Sequence, residues 1–573
     1  MNYLKNILTL ALFNHFFLNI TGQDLPDKTY FGSPLDIDLV ISANFAEIRA
    51  DHFHSGIDLR TQGVTGYKVI ATADGYISRI MIETGGYGKT LYLAHPNGKT
   101  TVYAHLDRFR SDINDYVKNQ QYIRNSHTLN IFPGKNEWNV KKGEVIAYSG
   151  NSGNSSGPHL HFEIRNTRNQ KPENVLEYNF NIQDTTAPRF ASLWLYSFIQ
   201  DNRNNIPAGI SSFPLKKING GFTVRQSGPL VVSGLSGFGI EAYDYLNGAN
   251  NKCGLYAIEM LLDDKRKFVM IMDDFSFGES RYINSFIDYR EKITNDREIQ
   301  KLFMDPNNKL SMYKEVDGQG LIDISDRDTH TVRIIIKDAY LNTSELVFSI
   351  ICADRKTMIP ARQDHLFRYD QDNLFDSDNV FVRIPAYSLY TDINFSFLEE
   401  TAGSPYLSDL YYIHDPGVPV HTHYELAIRP DYINDTLRDK ALILSVNKKG
   451  VTTSEGGIWN NGSLKAQVRH FGVFAVAVDT VPPVITPLNI TRGMDMTGQP
   501  SVKFKVVDDM SGIKTYDGYI DNEWVLFEYD AKNDLVFYSF DKDRLRNKTD
   551  HELELYIIDN KDNLSYFDTE FYW

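Results

Sequence analysis

His159 and His161 stand two residues apart in SGPHLHFEIR, a spacing that puts both rings on one face of a β-strand. About a hundred residues earlier, DHFHSGIDL places His54 and Asp58 four apart, which is same-face spacing in an extended chain, with Gly56 leaving the backbone room to adjust. Between them TVYAHLDRF carries His105. Imidazoles and a carboxylate suit a hydrolytic Zn²⁺. Two histidines and one aspartate fill three tetrahedral positions and leave the fourth for water. On the His-x-His strand one ring can take the metal while its neighbour faces a substrate. No HExxH-type glutamate is present, so histidines must carry the proton transfers.

The rest of the chain points to sheets. Aromatic residues make up 13% of the 573, and alternating runs such as TLYLAH and TTVYAHL recur between glycine turns. The expected fold class is all-β, with an antiparallel N-terminal domain followed by about three β-sandwich modules. A formal net charge of −15 argues against a nucleic-acid partner. MNYLK followed by ILTLALFNHFFLNI reads as a secretory signal, with cleavage after Gly22. A mature chain outside the cytoplasm, periplasmic or secreted, with no membrane span is therefore expected. With only Cys253 and Cys352 present, at most one disulfide can form, and the sequence leaves a pair and two free thiols equally open.

IQDTTAPRF and VDTVPPVI both run from Asp-Thr through proline into a new apolar strand, a pattern that suits hinges between β modules. Residues 240–269 resemble 504–530 in layout, and the endings at 330–350 and 551–573 share a strand-Asp-x-x-x-Asn-x-Ser close. These repeats resemble bacterial immunoglobulin-like modules. The expected boundaries are a signal peptide at 1–22, a first domain at 29–185, an Ig-like β-sandwich at 187–355, an accessory β domain at 360–480 and a second Ig-like sandwich at 483–573. REKITNDREIQKLFM (290–304) reads as the best helical segment, and the stretch near 110–140 as an inserted loop beside the cleft. His421 and His423 form a second His-x-His without partner residues and read as a surface strand. DQDNLFDSD (370–378) lacks the glycine and final glutamate of an EF-hand and reads as a solvated linker.

Three ordered blocks, HSGID, YAHL and GPHLHFE, together with GGYGKTLYLAH and KKGEVIAYSGNSGNSSG, resemble the lysostaphin-type (LytM-like) zinc metallopeptidases. The resemblance covers about residues 29–185. It implies one Zn²⁺ per chain held by His54, Asp58 and His161, with His105 and His159 as the catalytic pair. Which of the two is the general base stays open, and His52, two before His54, is the nearest substitute ligand. The implied activity is hydrolysis of peptide cross-links in bacterial peptidoglycan. Stem peptides and cross-bridges are the implied partners, and cell-envelope proteins could engage the Ig-like modules. The family includes enzymes that cut Gly-Gly bridges and others that cut bonds from D-Ala to diaminopimelate. The alternative is a non-catalytic LytM-like scaffold or regulator of cell-wall hydrolases. Because every implied ligand lies within 54–161, a fragment of residues 23–186 is expected to fold and hold zinc alone.

Overall fold

Alternating apolar and polar residues become strands through most of the chain. The Glu-Leu-Glu-Leu-Tyr-Ile alternation that carries Leu553, Leu555 and Ile557, for instance, buries one face of Asp550–Asp559 while its other face is more exposed. The computed structural model describes residues 29–135, 137–201, 204–232, 234–248, 250–352, 365–430 and 432–573. The expected signal segment lies outside them. The fold is all-β, with β-sandwich modules following the N-terminal sheet. No described helix is long and apolar enough to cross a membrane.

The N-terminal part is built on a nine-stranded sheet and a three-stranded one. Strand His159–Asn166 runs antiparallel between Ile57–Arg60 and Lys99–Ala104. Its inward residues Leu160, Phe162 and Ile164 are buried with Ile57, Leu59 and Tyr103. Its other face carries His159, His161 and Glu163. Gly56 lies at the entry of the first flanking strand, where a Cβ would come within 2.3 Å of the Phe162 carbonyl oxygen, so only glycine fits.

Beyond residue 186 a twelve-stranded sheet follows, which includes the long paired strands Arg189–Asp201 and Asn204–Ile218. Residues 366–478 form two five-stranded sheets over a shared core of Val382, Leu426, Phe474 and Val476, plus a two-stranded ribbon. Residues 484–572 form a four-stranded and a five-stranded sheet packed around Phe504, Phe527, Leu555 and Ile557.

Three local expectations change. Ser111–Arg124, inside the stretch read as a loop, is a helix with Ile113, Val117 and Gln121 buried four apart, closed by Asn125 in the left-handed conformation. The 290–304 segment is helical only over Tyr289–Asn295, because Asp296 turns left-handed and Ile299–Lys301 joins a sheet. Asn373–Asp376, read as part of a solvated linker, is a strand paired with Val380–Ile384. No disulfide joins Cys253 and Cys352. His421 stacks on Tyr282, with ring centroids 4.2 Å apart, and bonds to the Tyr390 hydroxyl.

The first core does not stop at residue 186. Phe45 and Phe53 are fully buried among residues of the following sheet, with Phe53 rings 5.7 Å and 6.1 Å from Phe275 and Phe286. Asn44 exchanges two hydrogen bonds with the Gly254 backbone, at 2.9 Å and 2.7 Å. Baring two phenylalanines forfeits roughly 3–6 kcal/mol, a large share of the roughly 5–15 kcal/mol that holds a domain together. The expectation for the 23–186 fragment is revised accordingly. It should melt well below residues 23–355 and bind zinc more weakly, as differential scanning calorimetry and metal titration of the two would show. Equal melting temperatures would mean that the shared core is dispensable.

The chain also closes on itself. Helix Ser111–Arg124 receives the C-terminal sandwich: Tyr122 meets Trp524 edge-on at 5.3 Å, and Arg544 lies 3.7 Å over the Tyr122 ring. His127 bonds the Phe527 carbonyl at 2.9 Å and Asp517 at 3.0 Å, and Lys89 pairs with Glu528 at 2.7 Å. A cavity of about 630 Å³ lies along this seam, bordered by Asp107, Ser152 and Tyr529.

Candidate metal and catalytic site

Antiparallel pairing puts Asp58 directly opposite His161. His54 approaches from the loop before that strand. The result is a triangle: His54 Nε2, Asp58 Oδ1 and His161 Nδ1 are each 3.0 Å from the other two. Donors about 2.0–2.2 Å from one tetrahedral ion stand about 3.3–3.6 Å apart, a few tenths of an ångström wider than this spacing.

The remaining atoms fix which nitrogen faces inward. His54 Nδ1 donates to the Asn44 carbonyl at 2.8 Å, leaving Nε2 as a lone pair. His161 Nε2 donates to Glu163 Oε1 at 2.8 Å, leaving Nδ1. Asp58 Oδ2 accepts from Arg49 Nη2 at 3.0 Å. Burial and the rings around it set the charge state. Burial works against the charge on Asp58, yet His54, His159 and His161 outweigh it and hold the carboxyl well below its usual range. Burial likewise opposes a charged His161, but Asp58 and Glu163 raise its pKa to about 9. Two imidazole nitrogens and a carboxylate oxygen thus converge on one point. The donor set therefore fits a zinc ion, with His54, Asp58 and His161 as the residues that would hold it.

His105 and His159 flank the triangle. His105 follows Ala104 with φ of 58°, which turns its ring out of the strand and toward the site. Its Nδ1 donates to the Ser152 carbonyl at 2.9 Å, so Nε2 is free to take a proton. Burial, reinforced by the His161 and His159 rings, pushes its pKa down to about 3, so the imidazole is neutral. His159 Nδ1 donates to the Gly157 carbonyl at 2.8 Å, and its Nε2 lies 3.5 Å from Asp58 Oδ1. The two rings are 4.8 Å apart. His52 is not part of this cluster; its exposed ring pairs with Asp51 at 2.9 Å.

Several residues that position the site escaped the sequence reading. Glu163 is fully buried and accepts from Ser55 Oγ and the Tyr87 hydroxyl, both at 2.7 Å, as well as from His161. Arg165 Nε donates to its other oxygen. Burial opposes the Glu163 charge, but Arg165 and His161 outweigh it and hold the carboxyl far below its usual range. The signal was in the alternation of HLHFE, whose third same-face residue is Glu163. Lys532 of the C-terminal sandwich reaches the carbonyls of Asn151 and Gly153, on either side of the Ser152 carbonyl that holds His105.

Glu163→Gln keeps the shape and removes the charge. Loss of such an outer partner lowers metal affinity by about 10–100-fold. It also strands the Arg165 guanidinium, at about 3–5 kcal/mol for a broken buried pair. Competition titration with a zinc chelator and a thermal melt read the two effects separately. Unchanged affinity would show that Glu163 serves stability alone.

Residues 52–130 and 127–174 match the model of peptidase family M23, and residues 364–479 match that of the Zu5-like domain. An uncharacterized metalloprotease of Haemophilus influenzae is 32% identical over 166 residues, 28% of this chain and 30% of that protein. The DD-carboxypeptidase/endopeptidase Mpg of Neisseria meningitidis is 37% identical over 112 residues, 20% of each. The chain thus spans under a third of the length of these curated relatives. A zinc containing peptidase from Vibrio cholerae is 25% identical, covering 26% of this chain and 40% of that one, at a TM-score of 0.20. The likeness to the lysostaphin-type peptidases drawn from the motifs is accordingly an M23 match in the N-terminal part of the chain. The accessory region at 360–480 gains a Zu5-like description that its sequence alone did not suggest.

Proposed function

We propose that this chain is an exported zinc metalloendopeptidase that hydrolyses peptide cross-links of bacterial peptidoglycan. The observation that carries the reading is the 3.0 Å triangle of His54, Asp58 and His161 with two further imidazoles beside it. The M23 match and the peptidase names of the Haemophilus and Neisseria proteins support the same class. In this reading the peptidase domain occupies 29–185. The modules at 187–355, 360–480 and 483–573 are accessory, with the first and last Ig-like.

Zinc held there supplies a Lewis acid for the scissile carbonyl and acidifies water at neutral pH. The chain's own residues do the rest. Of His105, neutral and open at Nε2, and His159, oriented by Gly157 and facing the same space, one takes the proton of the attacking water and, as an imidazolium, gives that same proton to the leaving amine. Either imidazolium would also stabilise negative charge developing on the carbonyl oxygen. Tyr87 and Arg165 keep Glu163 ionised so that His161 stays in one tautomer.

The test is mass spectrometry of fragments released from purified cross-linked peptidoglycan. The expected result is loss of cross-linked dimers in favour of monomeric stem peptides, stopped by a chelator and restored by zinc. Undigested peptidoglycan with stoichiometric zinc bound would overturn the enzymatic reading.

A further inference from the structure

A second cluster of acids lies at the joint between the N-terminal part and the sheet that follows it. Asp184 sits in the connecting segment. Asp244 follows strand Leu235–Tyr243, and Asp338 follows strand Thr329–Lys337. One carboxylate oxygen from each comes within 4.8 Å of the others. All three residues are more than nine-tenths buried, at 7%, 3% and 1% exposure. Among the described residues, no lysine, arginine or histidine pairs with any of them. Burying even one unpaired carboxylate is costly, and buried charges are normally paired or bound to metal.

The hydrogen bonds show where compensation stops. Asp338 is satisfied: Oδ1 accepts from the Tyr340 and Asn342 amides at 2.8 Å and 2.9 Å, and Oδ2 from Asn342 Nδ2 at 2.8 Å. Asp184 Oδ1 accepts from the Thr186 and Asn247 amides at 3.0 Å and 3.2 Å. Asp184 Oδ2 and Asp244 Oδ1 are buried with no hydrogen-bond partner at all. Two orphaned anionic acceptors in one cluster are what a cation would satisfy. Burial, with Asp338 and Asp184 opposite, pushes the Asp244 carboxyl up to about 7, which expresses the same deficit of positive charge.

We propose that Asp184, Asp244 and Asp338 bind a divalent cation, calcium, separate from the histidine-lined site. The donors are all hard oxygens, which select calcium over zinc. Ligands on opposite sides of an ion with bonds of about 2.3–2.6 Å lie up to about 5 Å apart, in keeping with the spread of the three oxygens. The ion would fasten the connecting segment to the ends of two strands. Leu246, Ala339 and Tyr340, which neighbour two of the ligands in sequence, pack into the core of the N-terminal part, so the fastening would hold the two parts together.

The C-terminal sandwich repeats the layout and shows what a compensated version looks like. Asn342 Nδ2 donates to the Asp184 carbonyl at 3.1 Å and to Asp338; Asn563 Nδ2 donates to the Asp479 carbonyl at 3.0 Å and to Asp559 Oδ2 at 2.7 Å. Asp479, Asp508 and Asp559 form the matching trio. There the Lys561 ammonium lies in the field of Asp479 and Asp559, and Lys440 bonds Asn563 Oδ1 at 2.8 Å. Asp479 Oδ2 also accepts from the Ser511 amide at 3.2 Å. No carboxylate oxygen of that trio is buried without a hydrogen-bond partner, so the proposal is confined to the first.

The experiment uses the full-length protein, stripped of metal, reloaded with one equivalent of zinc and titrated with calcium chloride. Isothermal titration calorimetry should show one calcium per chain. The melting transition of the N-terminal half should rise by about 5–10 °C at a hundredfold excess over Kd. Asp244→Asn should lose the shift and weaken binding at least tenfold, while Asp508→Asn keeps both. If Asp244→Asn does not fold, Asp184→Asn reads the same loss from the connecting segment. The proposal is overturned if the wild-type protein neither binds nor is stabilised by calcium at about 10 mM, tenfold above the ~1 mM weak end of protein calcium sites; an Asp244→Asn variant that melts higher would then mark the trio as acids sharing protons. Stoichiometric calcium binding retained by the Asn variants would also overturn it, by placing the ion elsewhere. Zinc content and peptidase activity are read in parallel, so failure of the zinc-enzyme reading leaves this result independent.

Discussion

His161→Ala should release the zinc and reduce peptide hydrolysis to background. Three protein ligands are the minimum for a hydrolytic zinc, and His161 Nδ1 is one corner of a triangle whose other corners are 3.0 Å away. The loss should not unfold the sheet. Leu160 and Phe162 keep the inner face of the strand packed, and Glu163 retains Ser55, Tyr87 and Arg165 as partners. Metal analysis after dialysis, with a circular dichroism spectrum, checks both halves of the expectation. Full zinc retained at high affinity would show that the ligand set is wrong. His52 would then be the first replacement to examine, although reaching the site requires it to leave Asp51 and turn inward.

His105→Ala and His159→Ala should each keep one zinc and lose about 10²–10⁴-fold in kcat, the usual cost of removing a general acid or base. Their effects should not add, because the two rings stand 4.8 Å apart and serve the same proton path. The double variant should resemble the worse single one. Loss of zinc from either would move that residue into the ligand set. Near-normal turnover in both would sink the assignment of roles. The pH profiles should tell base from acid: the variant that loses the acidic limb has lost the base.

The strand character of the chain was legible because alternation survives in the sequence wherever a sheet has one wet face. The histidines were legible because period two is enforced by the backbone. What stayed hidden depends on contacts between distant segments. Phe45 and Phe53 look like ordinary core residues of the first domain, and nothing local says that their partners are Phe275 and Phe286. Glu163 stood inside the GPHLHFE block without a role of its own. Only the fold brings Arg165, Tyr87 and Ser55 around it. Helix Ser111–Arg124 carried Ile113, Val117 and Gln121 at helical spacing, but its otherwise polar sequence reads like a loop until the C-terminal sandwich covers it. The 290–304 segment erred the other way, since Ile299 and Leu302 are core residues of a sheet rather than a helix stripe.

The return of the C-terminal sandwich to the N-terminal helix makes that sandwich a tethered ligand. Lys532 grips carbonyls on the loop that orients His105, but it need not do so tightly. Held on the same chain, it meets its target without a separate association step, so contacts too weak to hold two separate molecules can keep the loop in place. Part of the grip is ionic, through Lys89 with Glu528 and Lys118 with Asp541. Ionic contacts at a surface weaken as the Debye length shrinks from about 10 Å at 0.1 M salt to about 3 Å at 1 M. The order of the loop beside His105 is thereby made to depend on the surrounding ionic strength and on a tether of several hundred residues, rather than on the N-terminal part alone.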